Sequence, residues 1–88
     1  MLTLGFAPKF FRTLKKVEPS LQEEVFKVLE LFKNPNNHRK LDVHKLHGSM
    51  SNKYAFSINR KDRIIFRYES KSLAIILAVD DHHIYRKK

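Results

Sequence analysis

The stretch Tyr54-Ala55-Phe56-Ser57-Ile58-Asn59-Arg60-Lys61-Asp62-Arg63-Ile64-Ile65-Phe66-Arg67-Tyr68 decides the fold. Tyr54, Phe56 and Ile58 alternate with smaller or polar residues, and Ile64, Phe66 and Tyr68 alternate with Arg63, Ile65 and Arg67. A period of two puts each set on one face of an extended strand. Asn59-Arg60-Lys61-Asp62 is polar and turn-like, so the two runs read as neighbours in an antiparallel sheet. Leu73 to Val79 follows and is apolar at nearly every position. That is the pattern of a central strand buried on both faces. Lys45-Leu46-His47-Gly48 leads into this region, and Asp80-Asp81-His82-His83-Ile84-Tyr85 leaves it.

Upstream the period changes. Leu2, Leu4 and Phe6 alternate as a short strand would. Pro8 suits the first turn of a helix. Over residues 9 to 17, Phe10, Leu14 and Val17 recur at helical spacing, and Lys9, Arg12 and Lys16 fall on the other side. This predicts an amphipathic helix with a basic outer face. Glu18-Pro19-Ser20 interrupts it, and Ser20 with Glu23 fits a capping box that opens a second helix. Leu21, Val25, Val28, Leu29 and Phe32 form one continuous apolar stripe on that helix. Phe26 and Leu31 lie off the stripe and are expected to pack on the first helix rather than form an exposed patch. Asn34-Pro35-Asn36-Asn37 stops the helix, and residues 34 to 44 read as a polar, basic loop containing His38, Arg39, Lys40 and His44. The order is β-α-α-β-β-β. Two helices packed on one face of a small, mainly antiparallel sheet make an α+β domain spanning residues 1–88.

Composition bounds the function. The chain has 88 residues, enough for one modest core, and a hydrophobic fraction of 42% that is ordinary for a folded protein. Cysteine is absent, so disulfides and thiolate metal sites are excluded. No apolar run is long enough to cross a bilayer. The N-terminal Met1-Leu2-Thr3-Leu4-Gly5-Phe6 lacks the basic region and apolar stretch of a signal peptide. The expected location is the cytoplasm. Lys+Arg number 18 against 9 Asp+Glu, a formal charge of +9. This favours a polyanionic partner, nucleic acid before an anionic membrane.

The residue types on the rim of the predicted sheet are those of RNA cleavage without a metal. In that reaction the ribose 2′-OH attacks the adjacent phosphate. A base takes its proton, an acid protonates the leaving 5′-oxygen, and cations stabilise the phosphorane. Histidine titrates near neutral pH, arginine holds phosphate with a fork of donors, and tyrosine stacks on bases. His82, His83 and Tyr85 follow the third apolar run, and Arg63 begins the strand before it. Antiparallel pairing brings the start of one strand beside the end of the next, so Arg63 is expected close to residues 78 to 83. A polar tail with two solvated histidines is the competing reading of the same residues. A metal site on Asp80-Asp81-His82-His83 is disfavoured, because successive residues of an extended chain point to opposite sides. The two glycines, Gly5 and Gly48, exclude a P-loop or dinucleotide fingerprint. Gly48 is expected to allow a backbone turn closed to other residues. No cofactor is expected. Lys45, Lys53, Arg60, Lys61 and Arg67 extend the basic surface, as phosphate contacts or as plain solvated charges.

With these residues in view, the chain resembles the RelE/ParE superfamily of bacterial toxin–antitoxin toxins. Lys45-Leu46-His47-Gly48 followed by Tyr54 to Asn59 is similar to the LKG…YSxRIN run of that family. Asp62-Arg63-Ile64-Ile65-Phe66 is similar to its YRIIY strand, and Ile75 to Tyr85 to its ILxVxxHxxxY ending. The resemblance covers nearly the whole chain and is most specific over residues 45 to 85. It implies a small sheet with two helices packed on it and inhibition by a cognate antitoxin. It also implies either ribosome-dependent mRNA cleavage, as in most RelE, YoeB and YafQ types, or poisoning of DNA gyrase, as in ParE types.

By resemblance, Arg63 corresponds to the phosphate-stabilising arginine, Tyr85 to the C-terminal aromatic, and His82 or His83 to the histidine near it. Two departures stand out. Ala55 and Ser57 occupy the strand positions where the RelE type carries lysines, and His44 stands where the YoeB type carries a glutamate base. The general base is thus open among His44, His47, His82 and His83. The expectation is a toxin that cleaves mRNA on the ribosome. Arg63 would stabilise the phosphorane, His83 or His82 act as acid or base, and Tyr85 contact the RNA base. His47 and Lys53 have secondary roles, and Lys9, Arg12 and Lys16 grip ribosomal RNA. The alternatives are a ParE-type gyrase poison and a non-catalytic RNA-binding module.

Overall fold

The computed structural model describes residues 1–80. His82, His83 and Tyr85 lie outside the described residues. Five strands and two helices follow in the order β1 (Thr3–Phe6), α1 (Pro8–Leu14), α2 (Pro19–Phe32), β2 (His44–Lys45), β3 (Tyr54–Ser57), β4 (Arg63–Tyr68) and β5 (Leu73–Asp80). Short 3₁₀ turns occupy Pro35–Asn37 and Gly48–Met50. The strands form one sheet in the order β1-β5-β4-β3-β2, antiparallel except for the parallel β1–β5 pair. The α+β class and the helix-to-strand order match the sequence reading, with one strand added. Among the described residues, no helix is long and apolar enough to cross a membrane.

The core lies between the helices and one sheet face. Val25, Val28, Leu29 and Phe32 of α2 and Phe10 of α1 are buried against Phe56, Ile64, Phe66 and Ile76. The apolar stripe on α2 therefore faces inward as its spacing predicts. Phe32 is at the centre, with its ring 4.3 Å from Phe56 and 4.7 Å from Phe66. The opposite sheet face carries a smaller cluster, Leu46, Ala55 and Ile65, with Met50 and Leu77 packed against it. Ile64, Ile65 and Phe66 are consecutively buried, so β4 is the strand covered on both sides. β5 is second from the edge, and its Leu73, Ile75 and Leu77 are only half-buried.

Several local expectations change. The predicted capping box does not form. α2 starts at Pro19, with Glu18 as its N-cap and no side-chain cap bond. Proline at the first helical position costs no hydrogen bond and pre-sets φ, so it starts the helix one residue before Ser20. α1 ends at Leu14, and the backbone N–H of Val17 donates to the Leu14 carbonyl in a tightening turn that still buries Val17. The segment 34–44 is not loop throughout, because His44 begins β2 and pairs with Ala55. Phe26 and Leu31 do not pack on α1; they are 54% and 39% exposed. α1 is only seven residues long and lies over β5, where the Thr13 hydroxyl accepts the Val79 backbone N–H at 2.9 Å. Phe26 instead lines a groove of about 460 Å³ with Leu2, Leu4 and Phe6, beside β1. Gly48 has φ +73, the left-handed conformation for which glycine was expected.

Candidate active site

Register assigns side chains to faces, because residues paired across a sheet point the same way. Ser57 pairs with Arg63, and Arg63 with Asp80, so these three form one row on the face away from the helices. His44, Ala55, Ile65 and Ala78 form the next row. A β-bulge makes this arrangement possible. Phe66 pairs with Ile76 and Ile65 with Ala78, leaving Leu77 as the extra residue of β5. Strict alternation from Ala74 and Ile76 would send Asp80 toward the helices. The extra residue reverses the phase and turns Asp80 onto the face of Arg63. The Val79–Thr13 bond then holds the bulged end of β5 to α1.

Arg63 Nε donates to Asp80 Oδ2 at 2.8 Å. Both side chains are half-buried, 33% and 23% exposed. The predicted closeness of Arg63 to residues 78–83 is therefore seen at Asp80. On the same face, Ala55 is fully buried and Ser57 half-buried, so β3 supplies no cation between Arg63 and β2.

His44 sits on the outermost strand of this face. Its Nδ1 lies 2.8 Å from the Asp42 carbonyl oxygen. A carbonyl only accepts, so Nδ1 donates here, and in the neutral ring Nε2 holds the lone pair. Asp42 adopts φ 58, a left-handed conformation open to few non-glycine residues, and its carbonyl meets the ring from there. Strands in a sheet are about 4.8 Å apart, which places His44 roughly 10 Å across the sheet from β4. His47 is exposed at the start of the Gly48–Met50 turn, without a side-chain capping bond.

The remaining cations are dispersed. Lys9, Arg12 and Lys16 are exposed on and just after α1. Lys45 is exposed on β2 and points to the helix side, paired with Tyr54. Lys53 is half-buried just before β3. Arg60 and Lys61 are exposed in the β3–β4 turn, where Asn59 Oδ1 accepts the backbone N–H groups of Lys61 and Asp62 at 2.8 Å each. Arg67 shares the face of Arg63 but is ion-paired with Glu69. His38, part of the basic loop in sequence, is structural. Its ring stacks on Phe32 at 4.7 Å, and Nε2 meets the Phe32 carbonyl oxygen at 2.8 Å at the end of α2. Asp80 was missed as a partner of Arg63, since its side depends on the bulge.

No family model matches the sequence, and no curated protein is a significant match. Solved structures do match. The toxin–antitoxin complex RelBE2 of Mycobacterium tuberculosis aligns with a TM-score of 0.67 at 20% identity, over 91% of this chain and 96% of that one. YafQ from Escherichia coli BL21(DE3) aligns with a TM-score of 0.72 at 11% identity, over 97% and 98%. The YoeB–YefM complex of Staphylococcus aureus gives 0.69 at 16% identity, over 93% and 98%. The chain has the RelE-like toxin fold. Near-complete coverage in both directions means that the two helices and the five-stranded sheet form a RelE-like domain without a large insertion on either side. The RelE-like fold sets the sheet order and leaves the site to the side chains named above. Two of these three structures are complexes of a toxin with its antitoxin.

Proposed function

We propose that this protein is the toxin of a toxin–antitoxin pair and an endoribonuclease that cuts mRNA on the ribosome. The observation that carries the reading is the shared sheet face of His44 and Arg63, in a RelE-like fold on a chain of charge +9. Arg63 supplies the cation for the phosphorane, and its guanidinium fork matches a phosphate. His44 is the general base. Its Nδ1–H is tied to the Asp42 carbonyl, which leaves Nε2 to take the 2′-OH proton. This favours His44 over His47, whose ring has no such tether. The 2′-oxygen then forms a bond to phosphorus, the bond to the 5′-oxygen breaks, and an acid returns a proton to that oxygen. The C-terminal His82 or His83 is the proposed acid, and Tyr85 the base-stacking group. Lys53, Arg60 and Lys61 contact phosphates near the site, Lys45 contacts RNA backbone from the opposite side of β2, and Lys9, Arg12 and Lys16 contact ribosomal RNA.

The proposed partner is a cognate antitoxin, as in the RelBE2 and YoeB–YefM complexes. The test places the purified protein on ribosomes programmed with a defined mRNA, beside a gyrase supercoiling assay. Cleavage within the ribosome-bound codons with gyrase unaffected is the expected result. Inhibited supercoiling with intact mRNA would identify a ParE-type poison, and RNA binding without cleavage a non-catalytic module. His44→Ala is expected to slow cleavage about 100-fold, the lower range for loss of a general base. An unchanged rate would remove His44 from the site.

A further inference from the structure

Asp80 has no role in the chemistry described so far, yet the fold works to place it. The extra residue Leu77 turns it onto the face of Arg63, and the Thr13–Val79 bond fixes the strand there. Its carboxylate takes one edge of the guanidinium, at Nε, 2.8 Å away. Arginine has five N–H donors in a rigid plane, so the two terminal nitrogens remain a fork of four. Ser57 stands beside Arg63 in the same row on the other side, with a short side chain that leaves room.

We propose that Asp80 is a positioning residue, which clamps Arg63 by Nε so that the terminal fork is presented to an RNA phosphate. The proposal rests on the reading of this face as the mRNA-cleaving site. A free arginine has several rotatable bonds to order when phosphate arrives. A clamped one has already lost that freedom and meets the phosphate in one geometry. The clamp has an opposing consequence. Asp80 cancels part of the positive charge that attracts RNA, so it weakens binding while it improves alignment. A residue with only a structural role would not separate these two effects.

The test follows the Arg63 side-chain N–H resonances of the full chain by NMR, with a non-cleavable 2′-O-methyl RNA pentamer as the probe. In the wild type the Arg63 Nε–H signal is expected to be protected from exchange and to stay so at saturating RNA, while the terminal Nη signals shift. Loss of that protection on RNA binding would make Asp80 a competitor of RNA, and Nη signals that ignore the RNA would remove Arg63 from the phosphate site; either overturns the proposal. Asp80→Asn, nearly the same shape, is expected to bind the pentamer at least as tightly as the wild type and to cleave ribosome-bound mRNA about tenfold more slowly. Unchanged cleavage, or binding and cleavage falling together, overturns it too. A wild-type protein that cleaves nothing refutes the mRNA reading, and the NMR result then decides the clamp by itself. The same holds if Asp80→Asn does not fold.

Discussion

Arg63→Ala is expected to cleave ribosome-bound mRNA about 1,000-fold more slowly than the wild type, with the loss in the chemical step. Among the described residues, Arg63 is the one arginine that shares a row with Asp80, and the bulge at Leu77 makes that row possible. Arg67, two residues along, is already paired with Glu69, and Lys53 precedes β3 at the far end of its hairpin with β4. Neither stands in for the lost charge. Arg63→Lys keeps the charge but has no Nε–H for Asp80 and no planar fork, so it recovers only a small part of the rate. Single-turnover cleavage by both variants, with circular dichroism melts as a folding control, checks this. Asp80 left unpaired at 23% exposure destabilises the fold modestly, because solvent reaches it. A folded Arg63→Ala protein that cleaves at the wild-type rate would move the site elsewhere.

Phe32→Ala has the largest expected effect on stability, a loss of about 3–5 kcal/mol. The Phe32 ring is fully buried and touches every layer of the core. It stacks on Phe56, meets Phe66 edge-on and carries His38 on its other side. Truncation would leave a cavity between α2, β3 and β4 and free the His38 ring that closes the end of the helix. For 88 residues at about 0.05–0.15 kcal/mol each, total stability is about 4–13 kcal/mol. The loss is therefore at least about a quarter of the total, and all of it at the lower end of that range. Urea unfolding at 25 °C is the check; a loss below about 1 kcal/mol would mean that this aromatic cluster is not the centre of the core. By contrast Phe26→Ala, on a side chain more than half exposed, should change stability within about 0.5 kcal/mol.

The parts of this fold that were legible are those where one period dominates locally. The alternation of Tyr54, Phe56, Ile64 and Phe66 located β3 and β4 and their inward face. The stripe from Leu21 to Phe32 located α2. β2 was not legible, because His44-Lys45 is two exposed polar residues whose strand exists only through pairing with β3. The bulge was hidden for the opposite reason. Leu73 to Val79 is apolar throughout, so its pattern carries no phase, and nothing in it shows where alternation slips. Pairing geometry put Arg63 near residues 78–83, and only the slip decides that Asp80 faces it. The Ser20–Glu23 pattern does not show the helix start, because Pro19 pre-empts Ser20. Phe26 and Leu31 stay exposed because the seven-residue α1 lies over β5, a placement that helical spacing alone does not show.

The central claim is that this face cleaves RNA through the ribose 2′-OH. The chemistry of the ends tests it most directly. Fragments from mRNA cut on programmed ribosomes should carry a 2′,3′-cyclic phosphate, or the 3′-phosphate from its hydrolysis, on the upstream piece and a 5′-hydroxyl on the downstream piece. A 5′-phosphate opposite a 3′-hydroxyl would mean that water, not the 2′-oxygen, attacks phosphorus, and would contradict the roles given to His44 and Arg63.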